Sequence, residues 1–252
     1  MIEYFGEFLG TMILILLGNG VVANVNLNKT LSFGAGWIVI TFGWGMAVYV
    51  AVLISADMSG AHLNPAVTLG LAFSGLFSWL KVAPFILFQV LGAMAGASLV
   101  FVFFKNHFRI TETSGVKKAC FCTGPAIRDF RNNFFSEVVG TFVLILAVLL
   151  ITLPQLEYES LVGQKVGMGS LGALPVALVV FSIGLSLGGT TGYAINPARD
   201  LGPRIVHSLL PIPFKDNNDW KYAWIPIVGP VAGAGLAALV YLFIGYFCNK
   251  LY

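Results

Sequence analysis

Ser59-Gly60-Ala61-His62-Leu63-Asn64-Pro65-Ala66-Val67-Thr68 and Thr191-Gly192-Tyr193-Ala194-Ile195-Asn196-Pro197-Ala198-Arg199-Asp200 share the tripeptide Asn-Pro-Ala, and the fold turns on how these two stretches are read. In each, an asparagine, a good N-cap, precedes a proline whose fixed φ and missing N–H suit the first helical position, so each marks an abrupt helix start. The runs that follow, Val67–Phe73 and Arg199–Val206, are short. About ten helical residues rise about 15 Å, half the thickness of a bilayer core. Both segments are predicted to be half-helices that enter a membrane without crossing it.

The rest of the chain agrees with a membrane setting. Its 252 residues are 58% hydrophobic and only 10% charged, with a mean hydropathy of +0.87, too little polar surface for a soluble globule of this size. The net charge of +3 comes from scattered basic residues, so no nucleic-acid face is expected, while 21 Phe and 29 Gly suit lipid contact and close helix packing. Phe5–Val25 has neither a basic leader nor a small-residue cleavage site and is expected to be a retained span. Cys120, Cys122 and Cys248 have no metal-site spacing and read as free thiols; His62, His107 and His207 are dispersed. No nucleophile and base pattern stands out, so neither an enzyme nor a cofactor or metal is implied.

Six apolar stretches are long enough to cross a bilayer: Phe5–Val25, Phe33–Ala56, Val82–Phe104, Phe134–Leu153, Leu171–Leu187 and Tyr222–Phe247. The half-helices follow the second and fifth, so each half reads span, span, half-helix, span. Glu7-Phe8-Leu9-Gly10-Thr11 matches Glu137-Val138-Val139-Gly140-Thr141 at an offset of 130 residues (137 − 7), and the Asn-Pro-Ala copies are offset by 132 (196 − 64). The expected organisation is one transmembrane domain over 1–252 with internal repeats of approximately 1–125 and 126–252. Three spans per half is odd, so the second half enters from the opposite side, and an inverted repeat places its working site near the midplane. Gly6/Gly10, Gly92/Gly96 and Gly229/Gly233 are small-residue pairs suited to close helix approach.

Glu7 and Glu137 lie within the starts of apolar spans, where a carboxylate needs donors, and are expected to brace the loops before the half-helices. The Lys105–Asn133 connection reads as a folded surface loop. Pro154–Ser170, with Glu157, Glu159 and Lys165, and Pro211–Lys221 read as solvated loops. With cytoplasmic termini the inner loops carry Lys81, Lys165 and Lys250 and the outer ones most other basic residues, against the positive-inside rule.

Two half-helix N-termini converging at the midplane repel cations through their dipoles and unpaired N–H groups. Asn64 and Asn196 can turn amide N–H groups into a lumen and donate to water or an alcohol. Gly60, Ala61, His62 and Leu63, with Gly192, Tyr193, Ala194 and Ile195, form non-helical backbone at membrane depth, tolerated where it lines a wet cavity and offers carbonyls. Such a path suits small neutral polyhydroxyl molecules. Arg199 is an intramembrane cation and a functional candidate; the structural alternative is an ion pair with neighbouring Asp200.

Ser59 to Thr68 and Gly192 to Arg204 resemble the major intrinsic protein family of aquaporins and aquaglyceroporins. The resemblance covers nearly the whole chain and implies an all-α membrane protein, with six transmembrane helices and two re-entrant half-helices in a right-handed bundle. It further implies a homotetramer with one pore per subunit in the lipid bilayer of the cell membrane, and cytoplasmic termini, which outweigh the basic-residue count. Asp200, Arg204, Pro226 and Ile227 match markers of the glycerol-conducting branch. By motif spacing, the family's selectivity filter falls on Trp44, Gly184, Tyr193 and Arg199. Gly184 replaces the bulkier His of water-selective members, which implies a wider filter. Tyr193 departs from the Phe common in glycerol facilitators, and its hydroxyl has the reach to narrow or polarise the filter. The implied function is passive diffusion of glycerol and other small uncharged solutes with water, excluding ions and protons. Dihydroxyacetone and urea are further candidate cargoes; the alternatives are a channel mainly for water or for undissociated acids such as lactic acid, or a coupled secondary transporter.

Overall fold

The computed structural model describes residues 1–152 and 167–248. Glu157, Glu159, Lys165 and Lys250 lie outside the described residues, as does the final residue of the predicted Phe134–Leu153 span. The chain forms α1 (Ile2–Asn26), α2 (Trp37–Ser59), α3 (Pro65–Phe73), α4 (Trp79–Phe103), α5 (Lys105–Ile110), α6 (Ser114–Ala119), α7 (Phe130–Leu150), α8 (Leu174–Leu187), α9 (Pro197–Leu209) and α10 (Ile225–Cys248). A 3₁₀ turn, Gly169–Ala173, leads into α8, and among the described residues there is no strand. Among the described residues, six helical segments are long and apolar enough to cross a membrane: α1, α2, α4, α7, the 3₁₀ turn with α8, and α10. The protein is an all-α membrane protein with six spanning helices and two half-helices.

The helices start where local chemistry requires. Asn64 Oδ1 accepts from Ala66 N–H at 2.8 Å, and Asn196 Oδ1 accepts from Ala198 and Arg199 N–H at 3.0 and 3.2 Å, with proline at the first helical position in both cases. Asp129 caps α7 in the same way through Arg131 and Asn132 N–H. Helix α3 has 9 residues and α9 has 13, about 14 and 20 Å at helical rise, so α9 runs three residues beyond the Val206 expected from sequence.

Helix α1 packs between α2 and α4, and α7 between α8 and α10; α2 meets α8 across the two halves. The half-helices cross over, α3 resting on α10 and α9 on α4. Glycine makes these approaches possible. A Cβ at Gly92 or Gly96 of α4 would lie 2.3 or 2.5 Å from a carbonyl oxygen of α1, and one at Gly233 of α10 would lie 2.4 Å from the Val138 oxygen of α7. No side chain fits such gaps, so the small-residue pairs set the helix spacing. Phe42, Leu53, Leu87, Phe103, Leu178, Leu239 and Phe243 are exposed on the spanning helices, as a lipid-facing surface requires.

Two loops depart from the sequence reading. The Lys105–Asn133 connection is not confined to the surface: it contains α5 and α6, then dips inward so that Cys120 and Phe121 are fully buried and Cys122 nearly so. Apolar Phe108 and Phe121 draw it in, their rings 5.6 Å apart. The Pro211–Lys221 loop is also more than a solvated link. Lys215 Nζ donates to the carbonyls of His207, Ser208 and Leu210, closing the C-terminus of α9. At its surface, the Asn217 N–H and the Lys118 ammonium hold the Asp216 carboxyl below its ordinary range.

Candidate functional site

The loops ahead of the half-helices adopt the same unusual conformation. Gly60, Ala61 and Leu63 have φ of 80°, 52° and 53°, and Gly192, Tyr193 and Ile195 have 79°, 36° and 42°, each pair 132 residues apart. Positive φ is costly for non-glycine residues and persists only where surroundings enforce it. Buried glutamates supply the enforcement. Glu7 accepts from Ser59 hydroxyl (2.7 Å), His62 N–H (2.9 Å) and Leu63 N–H (2.7 Å). Glu137 accepts from Thr191 hydroxyl (2.7 Å), Ala194 N–H (3.0 Å) and Ile195 N–H (2.9 Å). With N–H groups drawn to the carboxylates, the loops are left to present carbonyls elsewhere.

The half-helix starts are tied to each other. Asn64 Nδ2 donates to the Ile195 carbonyl at 2.8 Å, and Asn196 Nδ2 donates to the Leu63 carbonyl at 2.9 Å. Each amide keeps a second N–H, and both asparagines line a cavity of about 300 Å³. The Ile195 carbonyl, expected to belong to an open ladder of acceptors, is thus joined to Asn64. Gly60, Ala61, His62, Tyr193 and Ala194 also line the cavity; Gly192 is not in its wall. Leu14, Val48, Leu71, Leu144, Val148 and Val180 complete an apolar side. The His62 ring nitrogen Nδ1 lies 3.1 Å from Thr68 Oγ1.

Trp44, Tyr193 and Arg199 meet at this cavity. The Arg199 guanidinium carbon sits 4.2 Å from the centre of a Trp44 ring, a cation–π stack, and Nη1 donates to the Phe121 carbonyl at 3.3 Å. The rest of its fork is left for the cavity it lines. Asp200 does not pair with Arg199. Its carboxylate accepts from Arg204 Nε (2.7 Å) and Nη2 (3.0 Å), and from Thr123 N–H (2.8 Å) and hydroxyl (2.6 Å). Arg204 also donates to the carbonyls of Thr123, Asn218 and Asp219. Asp200 and Arg204, both fully buried, therefore clamp the inward loop two residues from the carbonyl that holds Arg199. Pro226 is buried in the first turn of α10 and Ile227 is half-buried beside it.

Gly184 acts differently from the sequence expectation. It does not line the cavity, because Tyr193 occupies the room that its missing side chain leaves. A Cβ at Gly184 would lie 2.9 Å from Tyr193 Cζ and 3.0 Å from Oη, and one at Gly188 would lie 2.5 Å from Tyr193 Cδ1. The ring is seated in this glycine groove, edge-on to Trp37 at 5.8 Å, while Trp37 Nε1 donates to the Gly184 carbonyl. The Tyr193 hydroxyl is buried there without a hydrogen-bond partner among the described residues. Although Tyr193 lines the cavity, its hydroxyl is buried against α8 and not exposed to it. Gly188, one turn beyond Gly184, escapes the sequence reading; the four-residue spacing of the two glycines is the signal that would have pointed to it.

A helical membrane protein in which two inverted, asparagine-capped half-helices meet beside a cavity lined by the loops that precede them and by apolar side chains is a transmembrane conduit. The chain matches the major intrinsic protein family over residues 1–241, and it belongs to that family. It is 57% identical over 241 residues to the glycerol uptake facilitator protein of Streptococcus pneumoniae, covering 96% of this chain and 98% of that one. To the probable glycerol uptake facilitator protein of Thermotoga maritima it is 51% identical, with the same coverage. Among solved structures, the aquaglyceroporin of Plasmodium falciparum superposes with a TM-score of 0.79 at 34% identity, covering 95% of this chain and 94% of that one.

Proposed function

We propose that the protein is a passive channel for glycerol and other small uncharged solutes, with water as a co-permeant, and that it excludes ions and protons. The observation that carries this reading is the junction of Arg199 with Trp44 and Tyr193. A guanidinium with free donors faces hydroxyl groups, while two aromatic rings form an apolar corner for carbon. Asn64 and Asn196 supply central donors, and the carbonyls of Gly60, Ala61, His62, Tyr193 and Ala194 supply acceptors along the path. A triol that exchanges its water shell for these groups passes, whereas a cation meets Arg199 and two positive half-helix ends. The names of the relatives support glycerol as cargo; dihydroxyacetone, urea and lactic acid are smaller claims resting on size and neutrality. The family resemblance supports a single domain built from repeats of about 1–125 and 126–252, four copies in the cell membrane, and cytoplasmic termini.

Vesicle swelling tests the proposal. Glycerol flux into liposomes carrying the protein is expected to exceed that of empty vesicles and to be the same with and without a sodium or proton gradient. Flux no faster than empty vesicles, or flux that needs such a gradient, would overturn it.

A further inference from the structure

We propose that Asn19, with Gly18 beside it, is a positioning residue that sets how Arg199 is presented to the cavity. This rests on the reading of Trp44 and Arg199 as the filter. Asn19 is fully buried within the apolar span α1, about two turns from its C-terminal end, where an amide is costly unless it does something apolar residues cannot. Its Nδ2 donates at 3.1 Å to the Phe121 carbonyl, 102 residues away. The same oxygen accepts Nη1 of Arg199 at 3.3 Å. A carbonyl has two lone pairs, and here one is directed by α1 and the other holds the filter arginine. The Phe121 ring is fixed separately between Phe108 and His207, at 5.6 and 5.3 Å, and Thr123 is fixed by Asp200 and Arg204. The peptide that carries the carbonyl is held at both ends, by Cys122 N–H donating to the Lys118 carbonyl at 3.0 Å and by the Asn19 amide on the oxygen that Arg199 shares.

Gly18 seats the other partner of the stack. A Cβ there would lie 2.2 Å from Trp44 Cζ3, so the indole lies directly on the α1 backbone, with Arg199 against it. Adjacent residues of one helix thus position both members of the Trp44–Arg199 pair. The repeat supplies an internal control. At the 130-residue offset of Glu7 and Glu137, Gly18 and Asn19 correspond to Val148 and Leu149. Bundle packing is satisfied there without a glycine or an amide, in the half whose first span does not serve an arginine.

The test uses the full chain in liposomes and reads the passage of erythritol relative to glycerol, together with potassium leak. Asn19→Leu removes the donor at near-constant volume. The expected result is a rise of about fivefold in both readings, the factor one neutral hydrogen bond is worth, with glycerol flux retained. In an Arg199→Val background the same change is expected to add nothing, because Asn19 acts through the arginine. Loss that falls equally on all solutes, or an equal additional shift in that background, would overturn the proposal. Should Asn19→Leu fail to fold, Asn19→Ser replaces it, since a serine hydroxyl bonds within its own helix and cannot reach Phe121; the same outcomes decide. If Arg199→Val itself leaves both readings unchanged, the filter reading fails and this inference with it; if only Asn19 variants are silent, the positioning role alone fails.

Discussion

The two ends of the cavity are built from corresponding positions of the two halves, and they differ in every side chain that counts. At the offset of 132, Trp44 corresponds to Val176, Gly184 to Val52, Tyr193 to Ala61 and Arg199 to Val67. Val52, Ala61, Val67 and Val176 all line the cavity, so one end is an apolar mouth and the other is aromatic and cationic. The glutamate-held loops beneath them are the same in hydrogen bonding and in backbone angle. The two halves therefore share the backbone device that makes a conduit, and on the proposed reading it is the divergence at Trp44, Tyr193 and Arg199 that supplies selectivity. Further out the halves diverge again. Thr68 accepts from Gln89 Nε2, while its counterpart Asp200 turns to Arg204 and Thr123; Gln89 also donates to Glu7 at 2.7 Å, where Pro226, its counterpart by the Gly92 and Gly229 register, donates nothing.

The largest expected effect tests what the halves share. Glu7→Ala and Glu137→Ala each strand several buried donors, at about 1–3 kcal/mol apiece, and release strained backbone. Both variants are expected to lose several kcal/mol and most folded yield, read by thermal unfolding in detergent. A large loss for one and none for the other would break the equivalence of the two cradles. A middle-sized effect tests how they differ. Gly184→Ala places a methyl group against Tyr193 and Thr41, an overpacking of about 1–3 kcal/mol that is relieved by pushing the ring toward the cavity. Glycerol flux is expected to fall severalfold and water flux less; Val52→Ala, its counterpart at the apolar mouth, is expected to leave the ratio unchanged. The smallest effect concerns Tyr193→Phe. Removing a buried hydroxyl without a partner is expected to leave the glycerol-to-water ratio unchanged and to raise stability by about 1 kcal/mol. A changed ratio would mean that the hydroxyl reaches the path.

Much of this was legible in the sequence because it was written twice. Asn-Pro-Ala before a run too short to cross a bilayer, and a glutamate at matched places in two apolar spans, announce half-helices and their braces through local rules of capping and burial. The motif register also brought Arg199 and Trp44 together, and the two meet at the cavity. What could not be read was decided by contacts remote in sequence. Asn19 looks like an isolated amide in a span, and only the fold brings it to Phe121. The Tyr193 ring settles into the Gly184 and Gly188 groove because two helices leave a slot of that shape, a matter of tertiary packing that no periodicity reports. Asp200, adjacent to Arg199 in the chain, points along α9 to Arg204 because residues four apart share a helix face and immediate neighbours do not.

Arg199 and Val67 make the sharpest contrast between the halves, since the same register carries a guanidinium at one end and an isopropyl group at the other. The decisive measurement is a solute panel of glycerol, erythritol, water and potassium in stopped-flow assays on vesicles bearing the wild type, Arg199→Val or Val67→Ala. A charge-assisted hydrogen bond is worth about 1.5–3 kcal/mol, so Arg199→Val is expected to weaken discrimination against erythritol and potassium by about tenfold or more, with Val67→Ala indistinguishable from wild type. Equal effects of the two substitutions, or no change at Arg199, would contradict a selective constriction at one end of a symmetric conduit.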